Sequence, residues 1–190
     1  MKPPWAGRDL LAELPFVRGN LRANVPLARY TWFRTGGKAE VLFTPLDLGD
    51  LVRFLAECPE GTPFTVIGLG SNILVRDGGI PGVVIRIIRG QGSINVDGRD
   101  LIVGAGATDL KVSRVAAGAG IAGLEFLSGV PGSIGGAIRM NASAYGQEVS
   151  DILVSATVVD RKGLIRKQTA DEFCFGYRKS HLPKDSIVVE

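Results

Sequence analysis

The chain has 190 residues, 45% of them hydrophobic and 22% charged, enough for one large domain or two small lobes with a real core. Its 22 Lys and Arg stand against 19 Asp and Glu, and a net charge of only +3 argues against a nucleic-acid protein held by bulk electrostatics. Cys58 and Cys174 are far apart and form no CxxC pair. That disfavours a structural zinc site and a disulfide framework, and it suits a reducing cytoplasm.

The N-terminus, Met1 to Trp5 followed by Arg8, Asp9 and Glu13, has no apolar signal core, and no uninterrupted apolar run reaches membrane length. A soluble, cytosolic protein is expected. Residues 1–24 read as an extension carrying a short helix, Asp9 to Arg18 at most, interrupted at Pro15 and ending near Gly19 and Asn20. After Asn24-Val25-Pro26-Leu27 and the alternating stretch Tyr30 to Gly37, Ala39 to Phe43 predicts the first core strand. Thr44, Pro45 and Asp47 predict a helix opening, with Thr44 as cap and Pro45 at the first helical position. Leu48, Leu51, Val52, Phe54 and Leu55 supply its apolar stripe, and it stops by Pro59-Glu60-Gly61. Phe64 to Ile67, β-branched and bounded by Pro63 and Gly68, is the next strand.

That strand runs into Gly68-Leu69-Gly70-Ser71-Asn72. A strand followed by GxG suggests a dinucleotide loop, but the third glycine of a Rossmann fingerprint is missing and the apolar run to Val75 is no clear helix. Ser71 and Asn72, beside accessible backbone, suit a loop over a pyrophosphate. Gly82 to Ile88, Ser93 to Val96 and Asp100 to Val103 predict three short strands in a meander, with Asp97-Gly98 turning a hairpin. Gly104-Ala105-Gly106 ends it, and Thr108 or Asp109 caps a helix carrying Leu110, Val112, Val115, Ala116 and Ala119.

From Gly118 to Gly146 the chain is almost free of charge and dense in Gly, Ala and Ser. Its centre is Val130-Pro131-Gly132-Ser133-Ile134-Gly135-Gly136-Ala137. Such a turn, with a helix starting at Ile134 or Gly135, predicts backbone amides directed outward at a phosphate. The plainer reading is a packed turn in which the glycines let two elements touch. Beyond it, Ile152 to Asp160 and Leu164 to Gln168 predict a hairpin through Arg161-Lys162-Gly163, whose basic cluster reads as solvated. A helical turn at Ala170 to Phe173 and a last strand at Ile187 to Glu190 follow. The organisation predicted is α+β in two small lobes, divided near residues 80–90.

A strand leading into GLGSNILV, then GLEFLSGVPGSIGGAIRMNASAYGQE, then FGYRKS, in this order and spacing, resembles the UDP-N-acetylenolpyruvoylglucosamine reductases. The resemblance covers roughly residues 20–190. It implies a vanillyl-alcohol-oxidase-type FAD domain of two small α+β lobes, residues 25–88 and 89–190. It also implies a flavoenzyme of bacterial peptidoglycan-precursor synthesis, with FAD as cofactor, NADPH as co-substrate and a UDP-sugar enolpyruvyl ether as substrate. Matched by position, Gly68, Leu69, Gly70, Ser71 and Asn72 would wrap the FAD pyrophosphate. Pro131, Gly132, Ser133, Gly135 and Gly136 would line its other side, with Asn141 and Ala142 near the flavin.

Arg178, beside Tyr177, matches the family's active-site arginine, and a guanidinium can hold the enolpyruvyl carboxylate bidentately. In the family, reduced flavin passes hydride to the enolpyruvyl carbon, and a serine, helped by a glutamate, protonates its neighbour. Both groups belong to a C-terminal substrate lobe whose motifs are not matched here; Ser180, Ser186 and Glu190 do not occupy them. A catalytically incomplete FAD-binding module and another flavin oxidoreductase of the superfamily therefore stand as alternatives. His181 reads as a surface-turn residue, and the Trp5, Trp32 and Phe33 rings as packing. No metal, nucleic acid or membrane is expected.

Overall fold

The computed structural model describes Gly7, residues 9–88 and residues 92–190, so Trp5 lies outside the described residues. The chain divides into two compact units, one of Met1–Ile87 with Arg161–Leu164 and one of Ile88–Asp160 with Ile165–Glu190.

The first unit is built on four strands: β1 (Asn20–Pro26), β2 (Lys38–Thr44), β3 (Phe64–Ile67) and β4 (Ile80–Arg86), in the order β1-β2-β4-β3. β1 runs antiparallel to β2, whereas β2 and β3 both flank β4 in parallel. Parallel strands covered on both faces read as continuous apolar runs, and β2 is buried from Ala39 through Phe43. The register shifts between Ala39 and Val41. The extra residue of that shift lies on β4, between Ile80 and Val83, and Ala39 and Leu42 share one core cluster with Val25, Leu27, Ile67, Val75 and Val84. Glu40, at the shift, accepts the Gly82 N–H on Oε2 at 2.7 Å.

Phe43 packs its ring against Phe54 of α2 (Leu48–Glu57), centroids 4.3 Å apart. The cap of α2 is Asp47, which accepts the Asp50 N–H at 2.8 Å, so the helix opens later than the Thr44-Pro45 pattern predicts. Thr44 is still paired in β2, opposite Asn20, and cannot serve as cap. Buried Asp50 in turn accepts the backbone N–H groups of Arg18, Gly19 and Leu46 at 2.7, 2.9 and 3.0 Å. The N-terminal helix α1 is only Leu10–Glu13, much shorter than its outer limit of Asp9 to Arg18. The meander is corrected too: β4 pairs with β2 and β3, while β5 (Ile94–Asp97) and β6 (Asp100–Val103) form a hairpin of their own.

In the second unit Thr108 caps α3 (Asp109–Gly118), its side chain accepting from the Lys111 N–H. α4 (Ile134–Met140) follows, then the small hairpin β7 (Ser143–Ala144) and β8 (Gln147–Glu148). A second sheet, β9 (Ser155–Val159), β10 (Ile165–Thr169) and β11 (Ile187–Val188), is antiparallel with β9 central. The tip between β9 and β10, Arg161–Leu164, belongs to the first unit and is less solvated than predicted: Arg161 donates to the Thr62 carbonyl at 2.7 Å and lies over the Phe64 ring. No helix of the described residues is long and apolar enough to cross a membrane.

Candidate functional site

β3 ends at Ile67 and the chain passes through residues 68–79 to β4 with no helix between, which removes the Rossmann reading. Gly70 has φ +72, and a Cβ there would lie 1.9 Å from the Tyr30 carbonyl oxygen. Only glycine fits both the left-handed backbone and that approach. The Gly70 carbonyl accepts the Trp32 N–H at 3.0 Å, which ties the loop to the Tyr30–Thr35 segment. Among the described residues, the backbone amides of Leu69, Gly70 and Ser71 donate to no protein acceptor. Successive unengaged N–H groups beside a left-handed residue are the kind of donors that an anion-binding backbone nest uses, so these residues could hold a diphosphate.

The second glycine-rich segment is built differently. α4 does start at Ile134, but its first two N–H groups are already engaged, Ile134 with the Ala107 carbonyl at 3.0 Å and Gly135 with the Ala105 carbonyl at 2.9 Å. Gly132 donates to the Val130 carbonyl, also at 3.0 Å. The amide cradle predicted here is thus largely occupied by the protein itself. Gly135 follows the plainer reading: a Cβ would meet Ala105 Cβ at 3.0 Å. Gly136 does not, since it is exposed and a Cβ would have nothing nearer than Ser133 Oγ at 3.8 Å. Ser133 is buried and Pro131 exposed.

Asn141 ends α4 in the left-handed conformation, φ +43, and is 2% exposed. Its Oδ1 accepts the Ser150 N–H at 2.9 Å and its Nδ2 donates to the Gly176 carbonyl at 3.4 Å. The Ala142 N–H returns to the Ala137 carbonyl at 2.9 Å. Gly176 and Lys179 exchange backbone bonds of 3.0 and 3.1 Å, closing a tight turn with Tyr177 and Arg178 at its tip. Arg178 has φ +53, and Tyr177 is 87% exposed. A non-glycine residue held in this region carries strain that surrounding bonds must maintain. Those bonds come from α4: Asn141 holds Gly176, Arg139 donates to the carbonyls of Leu182 and Pro183 at 2.9 and 2.8 Å, and Ser180 Oγ donates to the Arg139 carbonyl. Burial lowers the Arg139 pKa, against the opposing charge of Asp185. His181 is exposed and donates its backbone N–H to Phe173.

Sequence reasoning gave Asp109 only a capping role. It is fully buried, neither carboxylate oxygen has a hydrogen-bond partner, and burial raises its pKa to about 7. Its backbone N–H donates to the Gly132 carbonyl at 3.2 Å, at the edge of the second glycine-rich turn. Trp32 and Phe33, predicted to pack, are 59% and 63% exposed and fill no core. Cys58 and Cys174 are free thiols, and no metal-holding cluster of His, Cys, Asp and Glu occurs among the described residues.

These features define a two-unit dinucleotide-type domain, and the chain belongs to the FAD binding domain family, whose pattern matches residues 39–169. Within that class it is similar to enzymes named UDP-N-acetylenolpyruvoylglucosamine reductase. It is 55% identical to UDP-N-acetylenolpyruvoylglucosamine reductase of Azorhizobium caulinodans over 95% of this chain and 59% of that protein. The enzyme of the same name from Rhodospirillum rubrum is 52% identical over 96% of this chain and 57% of its own length. The chain therefore spans somewhat over half the length of these relatives. Among solved structures, UDP-N-acetylenolpyruvylglucosamine reductase from Thermus caldophilus aligns with TM-score 0.76 and 37% identity, covering 92% of this chain and 60% of that one. 6-Hydroxy-D-nicotine oxidase from Arthrobacter nicotinovorans, 20% identical with TM-score 0.63 over 97% of this chain and 43% of its own, shares the fold.

Proposed function

We propose that this chain is the FAD-binding part of an NADPH-dependent flavoprotein reductase. The enzyme converts UDP-N-acetylglucosamine enolpyruvate to UDP-N-acetylmuramate in cytoplasmic peptidoglycan-precursor synthesis. The observation that carries the reading is the loop after β3, where the amides of Leu69, Gly70 and Ser71 are unengaged within a chain of the FAD binding domain family. The names of the relatives support the choice of substrate.

On this reading Gly68, Leu69, Gly70, Ser71 and Asn72 hold the diphosphate from the 25–88 lobe. Pro131, Gly132, Ser133, Gly135 and Gly136 serve the 89–190 lobe, chiefly by letting the cofactor approach the bare face of Gly136. Asn141 and Ala142 lie near the flavin, where Asn141 acts by fixing the Arg178 turn. Tyr177 and Arg178 meet the substrate, the guanidinium pairing with its carboxylate and countering charge that develops as it is reduced. Bound flavin supplies the hydride transfer.

The test is a visible spectrum of the protein loaded with FAD, followed by anaerobic NADPH and then the enolpyruvyl substrate. Flavin bands that NADPH bleaches and substrate restores support the full reading. Bands that stay bleached support the cofactor and count against turnover by this chain. A protein that cannot be loaded with FAD overturns the reading.

A further inference from the structure

We propose that the groove in the second unit between β6 and β9 is a slot for one further β-strand, filled by an extended segment from the part of the longer reductases that this chain does not span. The groove encloses a cavity of about 380 Å³, and every residue that lines it belongs to the second unit. β11 leads into it. Val189 lies between two walls: its N–H donates to the Thr157 carbonyl of β9 and its carbonyl accepts the Ala105 N–H, both at 2.9 Å. Ala105 stands two residues past the end of β6. At Val189 the chain leaving β6 and the centre of β9 are thus one strand apart, and the next residue, Glu190, lines the cavity.

Both walls present unpaired backbone to the groove. Antiparallel ladders alternate between residue pairs that exchange backbone bonds and pairs that do not. In the β5-β6 hairpin Asp97 and Asp100 flank the two-residue turn, and Ser93 accepts the Gly104 N–H at 2.9 Å. Leu101 and Val103, opposite Val96 and Ile94, therefore direct their N–H and C=O groups away from β5. On β9, Thr157 bonds Glu190 and Val189 through its N–H and its C=O. Ser155, two residues earlier, turns its own N–H and C=O to that same side. Among the described residues, none of Leu101, Val103 and Ser155 meets a backbone partner there. Two facing rows of open backbone groups are a template for adding a strand.

The rest of the lining is largely apolar, with Val112 of α3, Leu127, and Ile134 and Ile138 of α4. Such a lining suits the side chains on one face of a strand. A lipid or other apolar molecule would cover these side chains but leave the two backbone rows unmet. A second copy offers β10 as an edge strand, where Arg166 and Lys167 are exposed and would enter apolar surroundings. The reductases of Azorhizobium caulinodans and Rhodospirillum rubrum are matched over 59% and 57% of their length, so they carry further polypeptide. A segment of it laid along the line of β11, with apolar residues at alternate positions, satisfies both rows. It also joins the β5-β6 hairpin and the β10-β9-β11 sheet into one. Neither bound FAD nor turnover is needed for this docking.

The test is titration of the native chain with a synthetic peptide of about ten residues, the length of a long strand. Its sequence is the one that follows, in the Azorhizobium caulinodans reductase, the position matching Glu190. Two controls are a scrambled peptide and the same peptide N-methylated at alternate residues, which removes donors and keeps the side chains. The expected result is saturable binding that raises the melting temperature by about 5 °C or more. Amide exchange at Leu101, Val103 and Ser155 slows about tenfold or more, and both controls bind about tenfold or more weakly. A folded chain that does not bind the peptide, or binds the scrambled one equally, overturns the slot. Binding that leaves those three amides unprotected overturns it too. So does a dimer in which they are already protected and which the peptide fails to dissociate, because a second copy then fills the groove. A chain that takes the peptide but no FAD supports the slot while overturning the proposed function.

Discussion

Gly70 and the carbonyl of Tyr30 touch so closely that a Cβ on Gly70 would stand 1.9 Å from that oxygen. The contact locks the first glycine loop onto the segment carrying Trp32 and Arg34. Gly70→Ala is expected to cost about 3 kcal/mol or more, from the φ +72 backbone and the clash together, and to abolish FAD binding. A thermal melt beside a flavin titration checks both.

Gly136 is the opposite case and separates packing from cofactor contact. It lies inside α4, its φ is not positive, and a Cβ would meet nothing closer than 3.8 Å. Gly136→Ala is therefore expected to stabilise the protein by about 0.5–1 kcal/mol. If cofactor approaches that face, FAD affinity falls about tenfold or more in the same variant. Unchanged affinity in the stabilised variant removes Gly136 from the site.

Asp109 makes stability depend on pH. Its unfolded carboxyl ionises near 3.8 and its folded one near 7. Between those values the folded state keeps a proton that the unfolded state has lost. Stability consequently falls as pH rises through this window and levels off above it, by at most about 4 kcal/mol. Asp109→Asn is expected to flatten the dependence, gaining stability at about pH 8 relative to native and little at about pH 4. Denaturant midpoints across that range check it, and a native protein whose stability rises from pH 4 to 7 contradicts the buried, unpaired carboxyl.

The Asp50 carboxylate accepts three backbone N–H groups in the first unit, those of Arg18, Gly19 and Leu46. Asp50→Ala is expected to cost about 3 kcal/mol or more, because backbone donors are left unmet in a part-buried place. Asp50→Asn keeps the shape and should cost less. Melting temperatures of the two variants give the order.

Asn141 holds the Arg178 turn at a distance from the guanidinium itself. Asn141→Gly keeps the left-handed cap of α4 but loses the side-chain bonds to Ser150 and Gly176. Faster proteolysis between Cys174 and Pro183, with FAD affinity retained, is the expected outcome. A loss of FAD affinity equal to that of Gly70→Ala would instead place the Asn141 side chain directly on the cofactor.

Local patterns made much of this fold legible. β2, β3, the hairpin turning through Gly98 and the Thr108-capped α3 follow from apolar periodicity and capping chemistry. β1 was harder to read because Arg22 and Asn24 are exposed and Pro26 ends it, so its apolar signal is thin. β4 was legible as a strand, but its parallel partners are set by distant segments and leave no local mark. At the site, the glycine positions were legible and their roles were not. Whether an amide is available depends on non-local acceptors such as Ala105 and Ala107, and the same holds for the burial of Asp109.

The most direct test of the central claim is titration of FAD into the protein, followed by flavin absorbance and fluorescence. Saturable binding that Gly70→Ala abolishes, and that anaerobic NADPH bleaches, is the expected result. A folded protein that leaves FAD spectrally unchanged and unbound would contradict the account.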